Sequence, residues 1–188
     1  MKLTTPLSIE DVKSLNVGQT VYLSGEIVTA RDAAHKYLAQ GGKAPTKLNV
    51  IYHCGPIVKD AKVVSAGPTT SAREEPYMAD IIKEYGVRAI IGKGGMRSKT
   101  LKALEEHGCA YLAAVGGAGA VTAQKITKIK GVYMGEEFGP PEAFWVFEVI
   151  DLPLTCTMDA HGRSLYKDVQ EKSKNNLKKI LNSLKKQA

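Results

Sequence analysis

Three short apolar runs separated by helix-length segments constrain the fold of this chain more than any other feature. Residues 48–54, 88–91 and 109–115 are rich in Val, Ile, Leu and Ala and too short to be helices. The stretches between them include two helical segments, 71–85 and 98–107. Each of these stops at a glycine, Gly86 and Gly108, placed to cap a helix C-terminus. Further runs read the same way. Residues 20–29 form a strand with a break at Gly25, and 30–39 a short helix with Ala33, Ala34 and Leu38 inward. A loop fills 41–45, and a strand over 57–66 follows Gly55-Pro56. Gly116-Gly117-Ala118-Gly119 opens an Ala-rich helix. Strands return at 131–134, 144–150 and 154–158. Helices and strands mix along the whole chain, with no repeat and no linker. The expectation is one α/β domain over 1–188. A chain of 188 residues buries roughly 70% of its unfolded surface, enough to fold without disulfides or metal.

The formal charge of +7 sits almost entirely in the tail. From residue 163 onward, eight basic residues face two acids, Asp168 and Glu171. Leu177, Ile180, Leu181 and Leu184 recur there at helical spacing, which predicts an amphipathic helix. Such a helix can dock its apolar stripe and leave a solvated lysine face, or present a nucleic-acid patch. Only Tyr166 is interleaved with the charges for base stacking, so docking is expected. No apolar run approaches a membrane span, and the first residues lack the apolar core of a signal peptide. Cys54, Cys109 and Cys156 are odd in number and widely spaced. They read as buried, reduced thiols of a cytoplasmic protein.

The glycines invite a search for phosphate loops, and the standard patterns fail. Gly86 and Gly92 are too far apart for a Walker loop, and neither Gly92-Lys93-Gly94 nor Gly117-Ala118-Gly119 completes a dinucleotide fingerprint. Even so, Gly92-Lys93-Gly94-Gly95 directly follows an expected strand. Glycine there lets backbone N–H groups approach an anion, with Lys93 adding a point charge; a plain glycine turn is the alternative. Gly67-Pro68-Thr69-Thr70-Ser71-Ala72-Arg73 joins a strand to a helix. Its three hydroxyls suit either N-capping or an anion, and Arg73 can fork onto a carboxylate. Arg31-Asp32-Ala33-Ala34-His35 also joins strand to helix. Arg31 and His35 share a helical face there, and Asp32 can orient either one, as a site or as a local salt bridge. Metal signals are poor: no cysteine spacing suits a ligand set, and the four histidines are scattered. His53 and Cys54 are adjacent and should point to opposite faces of a strand.

These three loops, together with Gly55-Pro56-Ile57-Val58 and Asp159-Ala160-His161-Gly162, carry a resemblance in order and spacing. The chain resembles the β subunit, or C-terminal domain, of the iron–sulfur class I fumarate hydratases and the related L-tartrate dehydratases. The resemblance implies a swivelling β/β/α domain of three layers. It implies a lyase that reversibly hydrates fumarate to L-malate, a tricarboxylic acid cycle step, with tartrate dehydration as the alternative. A [4Fe–4S] cluster is expected in a partner α subunit and none on this chain, and the chain alone should be inactive. Association with that α subunit, and a β–β homodimer, are the partners implied. By motif, Arg31, Arg73 and Lys93 match substrate-carboxylate ligands, and Thr69 matches a proton-transfer group. Asp32, His35, Thr70 and Gly94 are supporting positions. Where relatives carry Arg-Met-Asp or Arg-Met-Glu, this chain has Arg73-Glu74-Glu75. A dianion needs several cations on separate loops, which these motifs supply.

Overall fold

The structure is a computed structural model and describes residues 1–185. In chain order it contains β1 (Lys2–Thr4), α1 (Ile9–Lys13), β2 (Thr20–Thr29), α2 (Asp32–Ala39), β3 (Val50–Tyr52), β4 (Ile57–Lys59) and β5 (Lys62–Ser65). A 3₁₀ turn (Ser71–Arg73) leads into α3 (Glu75–Tyr85), β6 (Ala89–Gly92), α4 (Ser98–His107), β7 (Ala110–Ala113) and α5 (Gly119–Ala123). Then come β8 (Ile126–Tyr133), α6 (Gly135–Phe138), β9 (Phe144–Met158) and α7 (Leu165–Lys185).

The main sheet is mixed and closes on itself. Its order is β1-β2-β3-β6-β7-β9-β8, and β2 also pairs with β9, so β2, β3, β6, β7 and β9 form a five-strand barrel-like ring. β2, β3, β6 and β7 run parallel, and β9 is antiparallel to both β2 and β7. The short apolar runs are apolar throughout because both faces are buried. Val50, Tyr52, Ala89, Ile91, Ala110 and Leu112 fill the ring interior. The alternate residues Ile51, Ile90 and Tyr111 point outward, into a second core with Leu38 of α2, Met78 and Ile81 of α3 and Leu104 of α4.

Gly86 and Gly108 sit in the left-handed region at the ends of α3 and α4, as their spacing predicts. Three expectations need correction. Residues 57–66 form a hairpin, not one strand, because Asp60 and Ala61 both turn through positive φ. Residues 144–158 form one strand, not two. The apparent break is a bulge, with Ile150 and Asp151 opposite Ser24, and Pro153 falls where one edge of β9 lies unpaired between β8 and β7. The tail is helical, but its apolar stripe is not docked: Val169, Leu177, Ile180, Leu181 and Leu184 are all exposed. Only the first turn of α7 packs, where the Tyr166 ring lies against Gly95.

Candidate functional site

The C-terminal ends of β2, β3 and β6 share one rim of the ring, the usual place for a ligand on parallel strands. Backbone bonds sew the predicted loops onto it. The Ala30 N–H donates to the Tyr52 carbonyl (3.0 Å), His53 to Ile91 (2.8 Å) and Thr69 to His53 (2.7 Å). Lys93 donates to Thr69 (3.2 Å) and Ser71 to Lys93 (3.0 Å), so the Thr-Thr-Ser segment lies beside the glycine loop as a bridge of Thr70 to Lys93. Gly94 and Gly95 both take positive φ, which turns the chain immediately after Lys93.

Arg31, Asp32, Thr69, Thr70, Arg73, Lys93 and Gly94 therefore meet on one rim. Arg73 donates to Asp32 at 3.0 Å, and Asp32 also lies 3.9 Å from the Arg31 guanidinium. Arg31 Nε is 3.2 Å from Glu142, whose second oxygen accepts the Ala33 N–H at 3.0 Å. Gly55 leaves room for this arginine, since a Cβ there would run into the Arg31 guanidinium and the Pro141 carbonyl. Lys93 is exposed and makes no ion pair among the described residues. Thr69 is half-buried, and its hydroxyl oxygen is enclosed without a hydrogen-bond partner. Thr70 makes no side-chain cap bond to the 3₁₀ turn. Ser71 turns its hydroxyl inward, so N-capping does not account for these hydroxyls.

Beneath the rim lies a buried polar chain, most of which the motifs did not reveal. His53 Nδ1 is 2.8 Å from Ser71 Oγ, which is 2.8 Å from the Tyr111 hydroxyl. Gly92 leaves the space these groups occupy: a Cβ there would overlap Ser71 Oγ and sit 3.1 Å from Tyr111 OH and 3.2 Å from His53 Nδ1. His53 points away from the ring interior and Cys54 into it, as strand alternation predicts. His35 does not face the rim. It is fully buried, its Nδ1 bonded to the Arg31 carbonyl at 2.8 Å, its ring edge-on to His53 with centroids 4.8 Å apart. Burial holds His35 down to about 4, against the opposing pull of the Arg31 carbonyl and the Asp32 charge. Burial, then His35 and Arg73, holds His53 well below the ordinary imidazole range. Glu74 is also fully buried, and burial together with the charge of Asp32 pushes its carboxyl up to about 8.

Asp159-Ala160-His161-Gly162 does not contribute side chains to this rim. The buried Asp159 carboxylate accepts from the N–H groups of Val17, His161 and Arg163 and pairs with the Arg163 side chain at 2.7 Å. Burial works against its ionisation, but these bonds hold the acid below its ordinary range. The motif pins the turn between β9 and α7 to the N-terminal segment. The three cysteines are buried and unpaired, and burial raises each thiol, Cys54 and Cys156 to about 12.

A closed mixed ring with Arg31, Arg73 and Lys93 on its parallel-strand rim defines an α/β domain of barrel-like type. Residues 1–169 match the family model described as Fumarase C-terminus, and the chain belongs to that family. It is 49% identical over 178 residues to a Geobacillus stearothermophilus protein provisionally named fumarate hydratase class I. That alignment covers 91% of this chain and 34% of the relative, so the chain spans about a third of that protein's length. A Methanocaldococcus jannaschii protein provisionally named L(+)-tartrate dehydratase subunit beta is 44% identical, with 93% of this chain and 95% of the relative covered. The L(+)-tartrate dehydratase subunit beta of Escherichia coli K12 is 36% identical over 87% of this chain and 85% of its own.

Proposed function

We propose that this chain is the β subunit of a two-subunit hydro-lyase of the class I fumarate hydratase type, which reversibly adds water to fumarate to give L-malate. The observation that carries the reading is the meeting of Arg31, Arg73 and Lys93 with the enclosed Thr69 hydroxyl on one rim. A four-carbon dicarboxylate brings two negative charges. In this reading Arg31 and Arg73 take one carboxylate in forked pairs and Lys93 takes the other as a point charge. Thr69 exchanges the proton at the carbon that gains or loses it. A threonine hydroxyl is a weak base, so a group of the partner must activate it. Asp32, His35, Thr70 and Gly94 hold these four in place.

The Lewis acidity that hydration calls for comes from a [4Fe–4S] cluster held by the α subunit. Cys54 and Cys156 lie in the ring core and Cys109 in the outer core, a donor set that does not fit a cluster on this chain. We assign the cluster, and the completed site, to a cytoplasmic heteromer of α and β chains with β–β pairing inside it. Residues 1–188 act there as one unit, the swivelling β/β/α domain. No helix among the described residues is long and apolar enough to cross a membrane.

Tartrate dehydration is the second reading, favoured by the two relatives of similar length that carry that name. The test is to assemble the chain with its cluster-bearing partner under anaerobic conditions and measure turnover of fumarate and of L-tartrate. A higher kcat/KM on fumarate supports the first reading and on tartrate the second. Turnover of neither acid refutes both.

A further inference from the structure

The buried cluster behind the arginines contains one acid that the proposed chemistry does not use. Glu74 sits between the 3₁₀ turn and α3, with its side chain 1% exposed and neither carboxyl oxygen hydrogen-bonded. Its Oε2 lies 3.5 Å from His35 Nδ1, and that nitrogen donates to the Arg31 carbonyl instead. The groups that face Glu74 come from three places: Arg31, Asp32 and His35 at the start of α2, Arg73 on the 3₁₀ turn and Glu142 ahead of β9; His53, at the end of β3, lies edge-on to His35. Asp32 and Glu142 already balance the charges of Arg31 and Arg73. An ionised Glu74 would be an unpaired buried charge and would turn the set net negative just where a dianion must bind.

We propose that Glu74 is a positioning residue that carries a proton when the site is ready, so that Arg31 and Arg73 remain available to an incoming dicarboxylate. This rests on the dicarboxylate reading above and adds to it a coupling between substrate and proton. When the acid is ionised, binding a dianion draws one proton from solvent onto the Glu74 carboxylate, giving the neutral acid and no other change in bonding. With the carboxyl titrating at about 8, the competent fraction at pH 9 is about one tenth, so KM at pH 9 should rise as much as about tenfold over its value at pH 7, while kcat moves less.

Two measurements on the wild type and Glu74→Gln test this. The amide is isosteric with the protonated acid and cannot titrate. In the full chain, the infrared carbonyl band of a protonated carboxylic acid should be present at pH 6.5, fall to about half near pH 8, be nearly gone by about pH 9.5 and be missing in Glu74→Gln. In the assembled enzyme, titration calorimetry with succinate at pH 8.5, run in two buffers of different ionisation enthalpy, should show uptake of about 0.5–1 proton per succinate bound. Glu74→Gln should show none, and its KM should stay flat from pH 7 to 9. Absence of the band in the wild type overturns the proposal. So does proton uptake, or a KM rise, that persists in Glu74→Gln. If the wild type shows the band yet binds no succinate at any pH, the dicarboxylate reading fails and takes the coupling with it, while the buried proton itself stands.

Discussion

Gly92→Ala is the substitution whose cost the structure defines most sharply. Gly92 closes β6 one residue before Lys93, and it is buried with an ordinary backbone conformation, so the cost is one of space, not of backbone strain. The added methyl would overlap Ser71 Oγ and crowd Tyr111 OH and His53 Nδ1. Relief requires Ser71 to withdraw, which breaks its bonds to His53 and Tyr111. Each bond contributes about 1 kcal/mol, and each buried group left unpaired costs a further ~1–3 kcal/mol. Residual overpacking adds ~1–3 kcal/mol. The sum is about 5–11 kcal/mol, comparable to the whole ~5–15 kcal/mol that holds a domain folded. Urea unfolding followed through the single tryptophan, Trp145, which stacks on Phe147, reports it. Ser71→Ala removes the overlapping oxygen, so the Ser71→Ala/Gly92→Ala double variant should lose less than the two single losses combined, by about 1 kcal/mol or more. A loss under about 1 kcal/mol in Gly92→Ala, or strict additivity in the cycle, would refute the reasoning.

Other outcomes follow from the same geometry. Arg73→Ala or Lys93→Ala should lower kcat/KM for the assembled enzyme by about one to two orders of magnitude with a raised KM, since a charge-assisted hydrogen bond is worth ~1.5–3 kcal/mol. Thr69→Ala keeps every cation and should fall mainly on kcat; a defect confined to KM would make Thr69 a binding group. Stability should peak near pH 6.5. The native state holds a proton on Glu74 between its ordinary 4.5 and about 8, so stability falls as pH rises toward 8. His35 and His53 refuse protons that the unfolded chain takes up below 6.5, so stability also falls on acidification. Urea midpoints across pH 4–9 check this, and Glu74→Gln should flatten the alkaline limb and steepen the acid limb above about pH 4.5. Truncation after Gln170 removes a stripe that is already exposed, so Tm should stay within about 2 °C of the full chain; a larger drop would mean that the helix docks on the body after all.

Element types were legible wherever one local signal decides them. Residues 20–29 and 98–107 match β2 and α4, because β-branched residues crowd the first and a glycine stops the second. The rim was legible too, since glycine and hydroxyl clusters at strand ends mark the loops that form it. What escaped depends on partners distant in sequence. Ser71 is one of three adjacent hydroxyls, and only the positions of His53 and Tyr111, 18 and 40 residues away, single it out. Glu142 reaches Arg31 across more than 100 residues, and nothing near either one announces it. The tail shows the converse: helical period reports that a stripe exists, but whether any surface receives it is a tertiary fact.

The site is built with unequal care on its two sides. Behind the rim, main-chain bonds tie Ala30 to Tyr52, His53 to Ile91, Thr69 to His53 and Lys93 to Thr69 and Ser71, and buried groups fix the turn from which Arg73 projects. In front of it, Lys93 and Thr70 are exposed, and both partners of the Arg73–Asp32 pair are nearly half exposed. A cleft of about 910 Å³ lies elsewhere, between α4, β9 and the start of α7, lined by Met96, Leu101, Met158 and Tyr166. An ion pair in water contributes only about 0.2–1 kcal/mol, too little to hold a dicarboxylate with the accuracy that hydration demands. The same cations act far more strongly once water is excluded. A rigid rear wall and an open front therefore describe half of a reaction chamber. On the proposed reading, the cover that makes the cations effective is the α-subunit surface laid over the rim, the same surface that brings the cluster.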